Sequence, residues 1–323
     1  MLAGLFRSNR PAVLVLLTVI VPALFLPWIW DAGPPTRASM PFHQAMQLLA
    51  SDRTWVRGLA GMVAIILIAI QLTALVNNSE LMMRRNHLPA LFFPLLLAAF
   101  GDPVPIGPAL FGMPFVLFAL QRTWSITNLG SVLGPLFDAG LLIGIASLFY
   151  LPYAFMVVVI WASVSVIRPF FWRDHLVPLL GVVVVLYLTW GALKLMGVEH
   201  WRPLYTIMDR NLLSSHEVVR SQRVLFYFLL AAFIGIGALA FAKGYGSGVM
   251  REKNLRSSFL AYCVATIALI GLLWMLSKRF PPVIAAVPLA VLCGYAVHDN
   301  KRAWIGELGI LAMGALAVWG MWG

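Results

Sequence analysis

The sequence predicts an all-α fold: a polytopic bundle of transmembrane helices with about 11 spans, some of them short or broken. Three observations carry this. Of 323 residues, 61% are apolar and 11% are charged, whereas soluble domains average roughly 45–50% and 25%. So few charges could not cover that much apolar side chain in water. Uncharged stretches recur at lengths near the roughly 20 residues that cross a hydrocarbon core. The aromatic content of 12% excludes disorder, and the two cysteines, Cys263 and Cys293, each lie inside an apolar run, which excludes a disulfide scaffold.

The first span covers residues 11–30. It lacks a small-residue cleavage site followed by a polar start, so it reads as an uncleaved helix rather than a signal peptide. Residues 58–79 carry no charge and form the second. Between 88 and 121 the only acid is Asp102, in Gly101-Asp102-Pro103. Gly and Pro do not continue a helix, so this is a turn between crossings at 88–100 and 106–120. Between 123 and 167 only Asp138 is charged, and Leu151-Pro152 divides the stretch into 134–150 and 151–167. Further spans follow at 176–197, 224–242, 258–276, 281–297 and 304–322. The third to sixth are short for full crossings, as expected of tilted, broken or re-entrant helices surrounded by protein or a cavity.

Lys/Arg bias places the N-terminus in the cytoplasm. In that arrangement the short outer loops at Asp102 and at Leu151-Pro152 contain no Lys or Arg, while the inner loops at Arg84-Arg85 and from Arg168 to Arg173 do. No repeat or soluble domain interrupts the chain, so residues 1–323 read as one integral membrane domain. The net charge of +11, from 23 Lys and Arg against 12 Asp and Glu, follows the positive-inside bias, and no nucleic-acid partner is expected.

Two outer loops hold the candidate chemistry. Asp31 follows the interfacial Trp28-Ile29-Trp30, and Gly33-Pro34-Pro35 then breaks the chain. In residues 41–57, Phe42, Ala45, Met46, Leu49 and Ala50 recur at helical spacing, with His43, Gln44, Gln47 and Asp52 mostly elsewhere. This is an amphipathic helix on the outer surface, with a plain re-entry helix as the equal alternative. Asp102 is either a carboxylate poised over a cavity or a turn-forming residue before Pro. The second loop reads Glu199-His200-Trp201-Arg202, Asp209-Arg210-Asn211, then His216-Glu217 and on to Arg220 and Arg223, and is partly helical over 211–223. Four guanidinium groups sit where the orientation rule does not ask for them. Their forks match phosphate, and His200 and His216 add donors or an acid. Internal pairing with Glu199, Asp209 and Glu217 uses the same geometry and stays open.

On the inner side, residues 79–87 and 170–175 are basic-aromatic loops suited to membrane lipid head groups, and 168–173 also suits a docking partner. Asp138 is expected to cap the start of its span. Other chemistries are missing. No Walker loop, His-Glu-x-x-His or Cys-x-x-Cys occurs, and Lys243-Gly244-Tyr245-Gly246-Ser247-Gly248 follows a helix rather than a strand. The six His fall outside the spans, so no heme, di-iron or other metal site and no cofactor is expected. Spans nearly free of charge argue against an ion-coupled transporter.

Two resemblances follow. Asn77-Asn78, Arg84-Arg85-Asn86-His87-Leu88-Pro89, the run from Leu136-Phe137-Asp138-Ala139-Gly140 to Tyr150, and Arg168-Pro169-Phe170-Phe171-Trp172-Arg173 resemble an uncharacterised family of multi-pass inner-membrane proteins from Bacteroidota. This covers most of the chain and implies a bacterial inner (cytoplasmic) membrane location. More distantly, the layout of residues 1–225 is similar to the GT-C glycosyltransferases that use polyprenyl-phosphate sugars, with 226–323 as C-terminal helices. In that superfamily an acid follows the first span, an amphipathic helix lies in the first outer loop, a second acid lies between spans three and four, and basic residues after span seven hold the lipid phosphate. Asp31, residues 41–57, Asp102 and Arg202/Arg210 fall at those places. Asp31 is followed by Ala32, so the usual paired acid is missing.

The resemblance thus implies a protein that handles a polyprenyl-phosphate-linked sugar on the periplasmic face. Asp31 would act as general base or substrate orienter, helped by Asp102. Arg202, Arg210, Arg220, Arg223, His200 and His216 would hold the phosphate. The alternative class is non-enzymatic: a permease, or an accessory subunit with a protein partner in a cell-envelope complex.

Overall fold

The structure, a computed structural model, describes residues 2–8, 10–27, 40–50, 54–82, 84–100, 107–126, 132–168, 170–198, 201, 220–277, 280–298 and 303–322. Among them every regular element is helical. A short α1 (Leu2–Arg7) precedes a 3-10 turn (Pro11–Leu16) that runs into α2 (Leu17–Phe25). Then come α3 (Pro41–Ala50), α4 (Thr54–Asn78), α5 (Leu88–Ala99), α6 (Pro108–Trp124) and α7 (Leu133–Phe149). A second 3-10 turn (Leu151–Met156) leads into α8 (Val157–Ile167), followed by α9 (Trp172–Leu195), α10 (Arg220–Ser247), α11 (Met250–Ser277), α12 (Pro282–His298) and α13 (Ala303–Trp322).

Among the described residues, four stretches are long and apolar enough to cross a membrane: Trp55–Asn78, Trp172–Leu195, Val224–Gly246 and Met250–Ser277. The other apolar helices are shorter, including Leu88–Ala99, Leu133–Phe149, Leu151–Ile167 and Pro282–His298. The short helices hold the centre. All twelve residues of α5 are buried, and almost all of α12 is as well. They pack on each other, with α13 and α4 against α5 and α10 against α12. A 12-residue helix is about 18 Å long and falls short of a roughly 30 Å hydrocarbon core. Such a segment is tolerated where protein surrounds it, which is where α5 sits. The long helix α9 lies at the periphery: only 17% of its apolar stretch is buried, against 56% for α4.

Several boundaries differ from expectation: α9 begins at Trp172 rather than 176, α10 runs to Ser247 rather than 242, and α11 begins at Met250 rather than 258. The surface helix expected over 41–57 is α3 over Pro41–Ala50, and residues 54–57 instead open the long α4. Asp138 caps nothing: α7 begins at Leu133, with no side-chain cap at Val132, and Asp138 lies more than a turn inside. Its carboxylate is instead 3.9 Å from Arg122 at the end of α6, with both side chains well exposed.

α7 and α9 approach most closely through glycine. A methyl group on Gly140 would overlap the Pro178 carbonyl, and one on Gly181 would lie 2.7 Å from the Leu141 nitrogen. Helix pairing by backbone proximity is how bundles associate where no hydrophobic driving force separates helix from lipid.

Candidate functional site

Chain direction and contacts define two ends of the bundle. At the Arg7 end lie α1, the 79–87 turn, and the junctions 124–133, 167–172 and 247–250. The opposite end holds α3, the starts of α4 and α10, and the end of α5.

Asp31, Asp102, His200, Arg202, Arg210 and His216 lie outside the described residues. Arg220 and Arg223 fall one turn apart on the first turn of α10, although their side chains are outside the description. Next to that turn, the Phe226 ring meets Phe100 edge to face, with centroids 5.1 Å apart. Phe100 ends α5, two residues before Asp102 in sequence.

Three side chains at this end were not singled out from sequence as site residues. α3 docks on α7 through Phe42 against Phe149, at 5.4 Å. That docking turns His43 inward to 3% exposure. Burial pushes the His43 ring down to about 4, so it is neutral at pH 7, and its Nδ1 has no hydrogen-bond partner. Arg57, on the first turn of α4, buries a guanidinium Nε with no partner. Trp201, between His200 and Arg202, buries an indole N–H with no acceptor. Buried polar atoms are nearly always paired, and each exception calls for an explanation. The available signal for Arg57 was an arginine at the mouth of an otherwise uncharged span.

The Arg7 end is locked by hydrogen bonds. After α4 the chain turns through Glu80 in the left-handed region (φ 53°). The Leu81 N–H donates to Val76 O at 3.2 Å, closing a Schellman turn. The Leu81 carbonyl then accepts from Arg256 Nε at 3.4 Å and from the Tyr295 hydroxyl. Arg256 is 1% exposed, also donates to Gly244 O, and lies 3.6 Å from Glu252. Asn77 and Asn86 bond reciprocally, and the His87 N–H donates to Phe6 O at 2.7 Å. Arg7 donates to Val297 O and His298 O at 2.5 and 2.6 Å, covering two of the last carbonyls of α12. These bonds staple α1, the turn after α4, α11 and α12 to one another.

Two cavities open at this end beside the staples. One, of about 280 Å³, is lined by Trp124, Ile167, Met250, Arg251 and Asn254 among others. The second, of about 510 Å³, lies between the starts of α7 and α9 and is lined by Arg168, Trp172, Arg173 and Asp174 among others. The basic-aromatic segment expected to meet lipid head groups therefore lines a concave site, with Phe171 and Trp172 of its lining exposed.

The profile of a family of unknown function, DUF6427, matches residues 45–319. No curated protein matches the chain, and no solved structure matches it.

Proposed function

The chain belongs to DUF6427, a family of unknown function, and from that premise we propose an integral membrane protein that binds a phosphate-bearing lipid at the α3/α10 end. The observation that carries this is the set of buried, unpartnered nitrogens there: Arg57 Nε, Trp201 Nε1 and His43 Nδ1. Two are donors, and they lie at the end where Arg220 and Arg223 open α10. An N–H buried without an acceptor costs about 1–3 kcal/mol, which a phosphate oxygen would recover. The ligand class follows from the GT-C-like layout: a polyprenyl-phosphate-linked sugar. In that reading Asp31 and Asp102 orient the acceptor hydroxyl or take its proton, which requires hydrogen-bond reach. The loop-charge bias supports a periplasmic position for this end.

Thermal shift of the detergent-purified protein with a polyprenyl phosphate and with the neutral polyprenol tests the binding. The phosphate should stabilise wild type more than the alcohol, and Arg57→Gln or Arg223→Gln should weaken it roughly tenfold for one lost charge-assisted contact. Equal stabilisation by the alcohol overturns the reading and leaves the accessory-subunit class in the lead. Asp31→Asn tests catalysis separately: it should abolish function in cells while the protein still accumulates.

A further inference from the structure

The 510 Å³ cavity at the Arg7 end is independent of the site above, and its charges are arranged unusually. Asp174 is the third residue of α9 and is 7% exposed. Its Oδ2 is buried with no hydrogen-bond partner, and no Lys, Arg or His among the described residues pairs with it. Arg168 and Arg173 line the same cavity, and neither has an acidic partner among the described residues. The Arg173 guanidinium lies over the Trp172 ring at 5.7 Å. Asp174, in the first turn of α9, thus lines the cavity together with Arg168 and Arg173, and no ion pair joins it to either. Leaving a carboxylate buried and unpaired is costly, and a protein of this size has ample arginine to avoid it.

We propose that this cavity binds the zwitterionic head group of an aminophospholipid, with its primary ammonium on Asp174 and its phosphate on Arg168 and Arg173. The chemistry fits at each point. A primary ammonium has three N–H donors for the unpartnered carboxylate oxygen. A choline group has none, so it could neutralise Asp174 without satisfying it. A glycerol head group carries no positive charge and would bring its phosphate toward a second anion. The volume lies within the range of small-molecule sites.

The walls are held in place before any ligand arrives. His175 bonds to Phe171 O at 3.0 Å and to Ser165 Oγ at 3.1 Å, and its own carbonyl accepts from Trp161 Nε1 at 2.7 Å. One turn further along α9, α7 and α9 close on each other at Gly140 and Pro178. Outward along α9, Leu176, Leu180 and Val183 are exposed and continue from the cavity as an apolar strip. Acyl chains of a bound lipid would lie on that strip, on a helix whose surface is mostly unburied.

The test uses the full chain in detergent, titrated with phosphatidylethanolamine, its N-trimethyl analogue phosphatidylcholine, and phosphatidylglycerol, with bound lipid counted by native mass spectrometry. Wild type should prefer ethanolamine over choline by about tenfold, as for one charge-assisted hydrogen bond, and over glycerol by at least as much. Asp174→Asn should bring ethanolamine and choline to equal affinity. Should that variant not accumulate, Arg168→Gln with Arg173→Gln should weaken all three lipids while keeping the ethanolamine preference. Soluble glycerophosphoethanolamine separates the sources: competition at concentrations comparable to the lipid assigns the site to a free head group, and failure to compete assigns it to the membrane lipid. Wild type that binds the three lipids equally, or Asp174→Asn that keeps the preference, overturns the proposal. Neither result bears on polyprenyl phosphate at the other end.

Discussion

Arg256 and Tyr295 donate to a single acceptor, the carbonyl oxygen of Leu81. The three residues belong to α11, α12 and the turn after α4, so one oxygen ties three segments that are far apart in sequence. A carbonyl has two lone pairs and can accept both bonds. It points at them because the left-handed Glu80 ends α4 in a Schellman turn. Removing the arginine would leave Leu81 O with the Tyr295 bond alone and take away the positive charge beside Glu252.

Arg256→Met should therefore destabilise the protein by about 1.5–3 kcal/mol, the range for a hydrogen-bonded charge. Arg256→Lys should recover only part, because one ammonium cannot span carbonyls that the guanidinium fork reaches on two sides. Tyr295→Phe should cost about 1 kcal/mol. Since both side chains share Leu81, the double variant should differ from the sum of the singles by 0.5 kcal/mol or more. Denaturation of the four proteins in one detergent measures this. Strict additivity would mean that the shared acceptor couples nothing.

Glu80 occupies the place where helices usually put glycine. A left-handed residue with a Cβ costs roughly 1–2 kcal/mol, while glycine adds unfolded-state entropy worth about 0.5–1. Glu80→Gly should thus be neutral to stabilising, by up to about 1 kcal/mol, and Glu80→Val clearly destabilising. Melting temperatures of the two variants check this, and a loss in Glu80→Gly would show that the glutamate side chain itself holds the turn.

Gly140 marks the closest approach of α7 to α9. Gly140→Ala forces the helices apart against backbone that cannot yield, and should cost about 1–3 kcal/mol, as overpacking does. Gly191 on α9 has open space around its Cβ direction, so Gly191→Ala should instead gain about 0.5–1 kcal/mol from helix propensity. The pair separates steric effects, at the crossing on α7, from conformational effects, on α9. Comparable losses in both would place the effect elsewhere than the crossing.

The helices were legible because hydropathy and turn residues mark them. The two proline-containing central helices, α5 and α12, read as apolar runs in the sequence. Ends and side-chain partners were less so. Asp138 looks like a cap because it precedes a long uncharged run, yet Leu133 and Gly134 are equally compatible with helix and the turn starts there. The Arg256 charge reads as one more basic residue after α10, since its partners Leu81 and Gly244 meet it only in three dimensions. His43 falls beside an amphipathic stripe whose rotation is set by Phe42 docking on Phe149, a contact between segments about a hundred residues apart. Asp174 is hidden in sequence by its basic neighbours, because the crossing of α7 with α9 decides its burial. The predicted acids Asp31 and Asp102 and the arginines Arg202 and Arg210 fall outside the described residues, while Arg220 and Arg223 open α10.

Acid sensitivity should report on two buried histidines outside the spans. Burial lowers His43 to about 4 and also lowers His87, on the turn before α5. In the unfolded chain both titrate near 6.5. Between these values the unfolded state binds more protons than the folded state, so stability rises with pH across the window and is flat above about 6.5. Acidification from 6.5 toward 4 therefore removes stability, to a limit of about 3 kcal/mol for His43 at 1.36 kcal/mol per unit. His43→Phe keeps an aromatic ring against the bundle and removes the titration. Its melting temperature should fall less than that of wild type between pH 8 and pH 5, and His43→Phe with His87→Phe should be flatter still. If wild type and His43→Phe lose the same stability over that range, the His43 ring is hydrated in the folded protein. The buried nitrogen at the α3 end would then no longer support a ligand there, while the Arg57 and Trp201 donors would still require one.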